Sequence, residues 1–293
     1  MGRITTAAAF LLATQTVVPI PAEAQVFEGA RLLGFAETQR ALTTGNDSIY
    51  VNPGGLALAS IYSVELGYLD DARGSDRRVN ASIVDSQAGP VAGGIAYTYS
   101  TRRPDGVPEG DARLRGHRVE IAAATKLGQS VGLGVTTRYL HYDLKNGAEG
   151  EEGFKTLTFD VGLAWRIVEG LSIGAVGYNL TNSKRAELPI SIGGGIGYEI
   201  AGFSIEGDAR YNFQLEKARL SFAAGYIIAD LVPVRVGAWY DFANKAWAIS
   251  GGLGFNYERI AVDIGYRQYI NGDRTFKDDD ERILGIALRG RFF

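Results

Sequence analysis

The chain carries two histidines and no cysteine, so the side chains that most often act as bases, nucleophiles or metal ligands are scarce. His141-Tyr142-Asp143 sets a carboxylate two residues from an imidazole, which could orient the ring as a general base. No serine stands near it in a recognisable constellation, and His117 has no better company. Both histidines read as rim residues on neighbouring strands, and the chain as a non-enzyme. The acidic runs Glu149-Gly150-Glu151-Glu152 and Asp278-Asp279-Asp280-Glu281 lack the ligand spacing of a dedicated calcium loop and are expected to be solvated. No cofactor and no metal is expected.

A second set of charges has a regular environment. Glu120, Arg138, Asp160, Arg166, Glu199, Glu206, Asp208, Arg210, Arg235, Asp241, Asp263 and Arg267 each sit in a run where apolar residues recur at every second position. Leu157, Phe159, Val161, Leu163 and Trp165 oppose Thr158, Asp160, Gly162, Ala164 and Arg166; Ile260, Val262, Ile264 and Tyr266 oppose Ala261, Asp263, Gly265 and Arg267. Such alternation is a strand with one apolar and one polar face. Because both signs interleave, the polar faces suit a cross-strand ion-pair lattice better than an ion-selective filter, which needs one dominant sign.

The elements that must carry these residues are fourteen short strands, at 61–70, 78–86, 90–101, 116–127, 130–142, 155–166, 170–180, 188–200, 203–211, 217–228, 232–242, 245–256, 258–269 and 281–293. Each is about long enough to cross a bilayer at a tilt. Alternation alone also fits a soluble sandwich. The connections decide between them: the long ones, at 102–115, 143–154 and 270–280, all fall at one end, and those at the other end are tight, as at Ala201-Gly202. Tyr68, Tyr97, Tyr99, Tyr139, Tyr211, Tyr240, Trp247 and Tyr266 then gather near the outer ends, and Trp165, Tyr198, Tyr226, Phe255, Tyr257 and Phe292 near the periplasmic ends. Two aromatic girdles are what a bilayer selects. Prolines keep to loops, turns and first strand residues. The fold expected is all-β: a transmembrane antiparallel up-and-down barrel of about fourteen strands, with twelve or sixteen as the alternatives.

Targeting agrees. Arg3, an apolar stretch from Ala7 to Ile20 and Ala22-Glu23-Ala24 before Gln25 read as a cleaved export signal over residues 1–24. The near-neutral charge balance argues against nucleic acid as a partner. The chain closes on Arg291-Phe292-Phe293, a terminal aromatic of the kind that the barrel-insertion machinery reads in outer-membrane proteins. Lipid of the bacterial outer membrane and that machinery are the partners implied.

Residues 25–60 do not alternate. They contain Gly29-Ala30-Arg31-Leu32-Leu33-Gly34-Phe35, then Asp47, then Asn52-Pro53-Gly54-Gly55-Leu56. This segment resembles the N-terminal motif of the FadL/PorV superfamily of outer-membrane barrels. Gly29, Arg31, Gly34, Asp47, Asn52, Pro53, Gly55 and Leu56 fit its pattern, while Phe35-Ala36 replaces the usual Met-Gly and Gly54 an alanine. The resemblance implies a three-part chain: signal 1–24, N-terminal plug segment 25–60 and barrel 61–293. It implies passive passage of small hydrophobic molecules or, in PorV-like relatives, a role beside exported proteins in secretion or surface attachment. Two local features bear on the first role. Glycines on the non-lipid parity, among them Gly132, Gly134, Gly193, Gly195, Gly197, Gly252 and Gly254, either admit another backbone into the lumen or permit strong curvature. In the seventh strand the apolar parity changes after Ala175, so that Val176, Tyr178 and Leu180 fall on the other side; an extra residue there would make a bulge, structural or a lateral opening.

Overall fold

The period-two runs become strands in the computed structural model, which describes residues 29–71, 76–102, 113–145, 153–181, 183, 188–243, 245–271 and 282–292. The proposed signal, both acidic runs and Phe293 lie outside these residues. The strands are β1 (Tyr62–Asp71), β2 (Asp76–Asp85), β3 (Val91–Arg102), β4 (Arg113–Leu127), β5 (Val131–Lys145), β6 (Phe154–Val168), β7 (Leu171–Tyr178), β8 (Ser191–Ile200), β9 (Phe203–Asn212), β10 (Lys217–Ile228), β11 (Val232–Asp241), β12 (Ala246–Tyr257), β13 (Ile260–Asn271) and β14 (Arg282–Phe292). Each pairs antiparallel with its sequence neighbours, and β1 pairs with β14, from Tyr62 opposite Phe292 to Asp71 opposite Ile283. Fourteen strands close the ring, so that every strand has a neighbour on both sides.

The two faces have opposite chemistry. In β6 Leu157, Phe159, Val161 and Trp165 are exposed on the outside, while Thr158 and Asp160 are buried on the inside. The girdle residues Tyr68, Tyr97, Tyr139, Tyr226, Tyr257 and Phe292 are likewise outward and exposed. An exterior of Leu, Ile, Val and Phe around a closed barrel is a lipid-facing surface. At the tight end, Ala201 (φ 49°) and Gly202 (φ 81°) both take left-handed conformations, the two-residue hairpin turn whose twist matches the strands it joins.

Residues 29–60 form a five-residue helix α1 (Ala30–Gly34) and 3₁₀ turns at Gly45–Ile49 and Pro53–Leu58. They pack against inward-facing residues on opposite sides of the ring. A side chain on Gly265 would strike the Ala30 carbonyl, and one on Gly252 would stand 3.2 Å from Cα of Gly34. Across the ring, side chains on Gly132 and Gly174 would strike the carbonyls of Gly54 and Arg40. These glycines admit a second backbone, which settles that alternative for them.

Two readings are corrected. The ladder runs unbroken through Ala175 and Val176: Leu163 and Gly194 flank Ala175, and Gly162 and Gly193 flank Val176. There is no bulge there, and the register shift in this hairpin lies between Arg166 and Val168. Apolar parity changes because Val176 and Tyr178 face inward, where both are buried, with the Tyr178 hydroxyl donating to the Val51 carbonyl at 2.7 Å. Strand ends also moved. β7 stops at Tyr178, ahead of Asn179 at φ 55°, and β8 starts at Ser191, just past Pro189, while β4 to β6 run further outward than alternation indicated.

Candidate functional site: the barrel interior

The N-terminal segment is held by apolar burial and by charge. Leu32, Leu33, Ile49 and Leu56 are fully buried against Leu69, Val84, Ala92, Ala96, Ala122, Ala124 and Ile283 on the inner wall. Each such side chain contributes on the order of 2 kcal/mol relative to exposure.

The motif residues have structural roles that can be named. Gly29 caps α1 where a side chain would come within 2.8 Å of Asp47. Arg31 pairs with Asp47 and donates to the Thr44 carbonyl at 3.0 Å. Burial alone would lower the Arg31 pKa, but Asp47, Asp263 and Glu65 outweigh it and hold the guanidinium above its ordinary value. The Asn52 carboxamide accepts from Gly54 N and donates to the carbonyls of Arg40 (2.6 Å) and Leu163 (2.9 Å), so one side chain ties two parts of the segment to β6. Pro53 starts the turn, and Gly55 leaves space for the Thr43 carbonyl. Burial also pushes the Tyr50 phenol well above its ordinary pKa, and it donates as a neutral group to Asn80.

The charges named from sequence mostly meet as expected, and several pair with the segment. Glu120 binds Arg138 (2.8 Å) and Arg118 (3.0 Å), and Arg138 continues to Asp160 (2.7 Å). Asp263 bridges Arg235 (2.7 Å) and Arg289 (2.5 Å). Asp208 takes Arg40 at 2.8 Å, and Glu206 accepts from Ala41 N and Gln39. Arg267 and Arg219 both reach Glu37, at 2.5 and 2.9 Å, and Arg219 also reaches Asp241. Arg210 lies over the Tyr178 ring at 4.8 Å and donates to Ser191. Arg166 and Glu199 fall outside the lattice, exposed at the tight end. Sequence reading missed Glu65, Arg118, Arg219 and Arg289, all on the inward parity of their strands, and Glu37 and Arg40, which have no parity to read. Ala36 and Glu37 sit at positive φ, 51° and 61°, in the turn after α1. Ala36 stands where the resembled motif has glycine, and it persists there buried against Trp239, Ala246 and Ala248.

A different environment occurs at the outer end beside β7. Leu140, Tyr142 and Leu188 form a buried apolar cluster on the inside, packed by Leu114 and Phe154. Here the wall ladder ends early. Beyond Tyr178, Leu180 N donates to the Phe159 carbonyl and Thr181 Oγ1 to the Leu157 carbonyl, and among the described residues no strand pairing with β7 continues past that point. Leu157, Phe159, Leu180 and Ile192 are exposed around the break. The segment after β7 is pinned by Asn179, whose N–H donates to Asp160 and whose carboxamide bonds Arg138 and Pro189.

The histidines are elsewhere. Tyr97 Oη lies 2.8 Å from His117 Nδ1, and His141 Nε2 lies 3.1 Å from Asp143, all on the outer face.

Comparison with solved structures matches the fold. The CymD monoaromatic hydrocarbon channel superposes with a TM-score of 0.72 at 13% identity, over 92% of this chain and 99% of that one. This is a FadL-type barrel fold. The Ralstonia pickettii toluene transporter TbuX gives 0.67 at 14% identity over 92% and 99%, and a Pseudomonas aeruginosa FadL homologue 0.65 at 10% over 90% and 98%. No family model and no curated protein matches the sequence. With its lipid-facing exterior, the closed barrel is a membrane-spanning fold.

Proposed function

We propose that this protein carries small hydrophobic molecules passively across the outer membrane, with residues 25–60 as a plug and the ladder break beyond β7 as the side exit. The apolar cluster of Leu140, Tyr142 and Leu188 behind that break carries the reading. Unlike the apolar wall at Leu69, Val84 and Ile283, which packs against the N-terminal segment, this cluster includes none of that segment's residues, and it lies where lipid-facing Leu157 and Leu180 stand beside a shortened strand. An apolar solute gains about 0.8 kcal/mol for each CH₂ removed from water, so it can pass from such a cluster into lipid without a continuous wet path. A polar solute would need that path, and the N-terminal segment lies across the ring. Similar structures named as hydrocarbon channels and toluene transporters support the substrate class.

The test is uptake of toluene and of a long-chain fatty acid by a deletion strain carrying the wild type, Leu188→Asp or Leu188→Trp. Both variants are expected to lower uptake at normal outer-membrane levels, one by placing a charge on the route and the other by filling it. Unchanged uptake in both would contradict the side exit. A loss of surface-exposed proteins without any uptake defect would favour a secretion partner of the PorV kind.

A further inference from the structure

The outer rim of the barrel is not uniform around its circumference. On β3 to β6 the outward-facing residues form three cross-strand rows. Tyr97, Val119, Tyr139 and Leu157 make the lowest; Tyr99, His117, His141 and Lys155 the next; Thr101, Arg115 and Asp143 the third. Successive rows are two residues apart, about 7 Å. The lowest contains exposed tyrosines at the level where amphipathic rings mark the interface. The basic rows above it therefore stand at headgroup depth while still pointing away from the lumen. On the opposite side, the outer ends and turns of β9 to β13 present Phe213, Leu215, Phe242, Trp247 and Ile270 instead.

Within the basic patch the acids are accounted for. Asp143 lies against His141 at 3.1 Å, and Asp70 on the neighbouring hairpin takes Arg77 at 3.2 Å. Arg115 and Lys155 are exposed and, among the described residues, have no acidic partner. His117 lies beside Arg115 on β4, its Nδ1 on the Tyr97 hydroxyl and its ring 5.2 Å from that of Tyr99, while His141 and Asp143 of β5 stand between Arg115 and Lys155. Arg115 and Lys155 sit two strands and one row apart, about 12 Å between backbones, a span that two long side chains can close on one group.

We propose that the outward face of β4 to β6, through Arg115, Lys155 and the ring of His117, binds the phosphate of an anionic lipid in the surrounding leaflet. Arginine supplies a planar fork that matches phosphate oxygens, lysine a second charge, and the tyrosine row beneath them sets the depth at which a headgroup arrives. A dissolved phosphate would gain nothing from that depth, whereas a lipid is delivered there by its acyl chains.

The test is native mass spectrometry of the full chain in detergent with equal amounts of dioleoylphosphatidic acid and dioleoylphosphatidylcholine. Retention of one phosphatidic acid in preference to phosphatidylcholine is expected. Arg115→Gln/Lys155→Gln should lower that preference about tenfold, and Lys245→Gln, in the turn before β12, should leave it unchanged. Heat-modifiable migration of each variant confirms a folded barrel. Equal preference in the double variant would overturn the site, as would displacement of the lipid by millimolar inorganic phosphate. Absence of any preference in the wild type would overturn it too.

Discussion

Gly174 and Glu37 represent the two ways in which the N-terminal segment is fixed: shape and charge. Any side chain on Gly174 would overlap the Arg40 carbonyl, so Gly174→Val is expected to push the segment off β7. The outward face of the strand is untouched, so barrel assembly should persist, and limited proteolysis would detect the freed segment. Protection equal to wild type would contradict the fit. Glu37 neutralises Arg219 and Arg267, which are themselves nearly buried. Glu37→Gln keeps the shape and removes the charge. Breaking a buried pair costs at most about 3 kcal/mol here, because Arg219 keeps Asp241. The expected readout is a lower temperature of heat-modifiable unfolding. Parity made Asp160, Glu120 and Asp263 legible in the sequence, since an inward position in an alternating strand can be counted. Glu37 and Arg40 were not legible, because their partners are set by how a non-repeating segment lies in three dimensions.

Among the elements, β7 departs furthest from its sequence reading. Alternation assumes that apolar side chains face lipid, and Val176 and Tyr178 break that rule because the segment inside gives them an apolar and hydrogen-bonded place to be buried. The same hidden surface explains the inward alanines of β3 and β4. The structural consequence lies beyond the strand, where Asp160 holds the Asn179 amide at 2.8 Å and Arg138 at 2.7 Å. Asp160→Ala should free the Asn179 backbone amide, leaving only its carboxamide bonds, while Arg138 keeps Glu120. Hydrogen exchange at the Leu180 amide, which bonds the Phe159 carbonyl, is expected to speed up, while amides in the middle of β6 stay protected. Unchanged exchange at Leu180 would mean that the break in the ladder is held by other contacts.

For the whole molecule, strand number, direction and lipid-facing parity were all readable, because a membrane barrel repeats one pattern in every strand and closes it with tight turns at one end. The filled interior was visible only through the motif at Gly29 to Leu56 and through glycines on the inward parity. The account rests most heavily on the N-terminal segment closing the lumen, and single-channel conductance in planar bilayers tests that directly. Full-length protein should be nearly silent to ions, and a chain lacking residues 26–57 but retaining the signal should conduct steadily at the same amount of inserted barrel. Equal conductance from the two would contradict the plug and with it the need for a side exit.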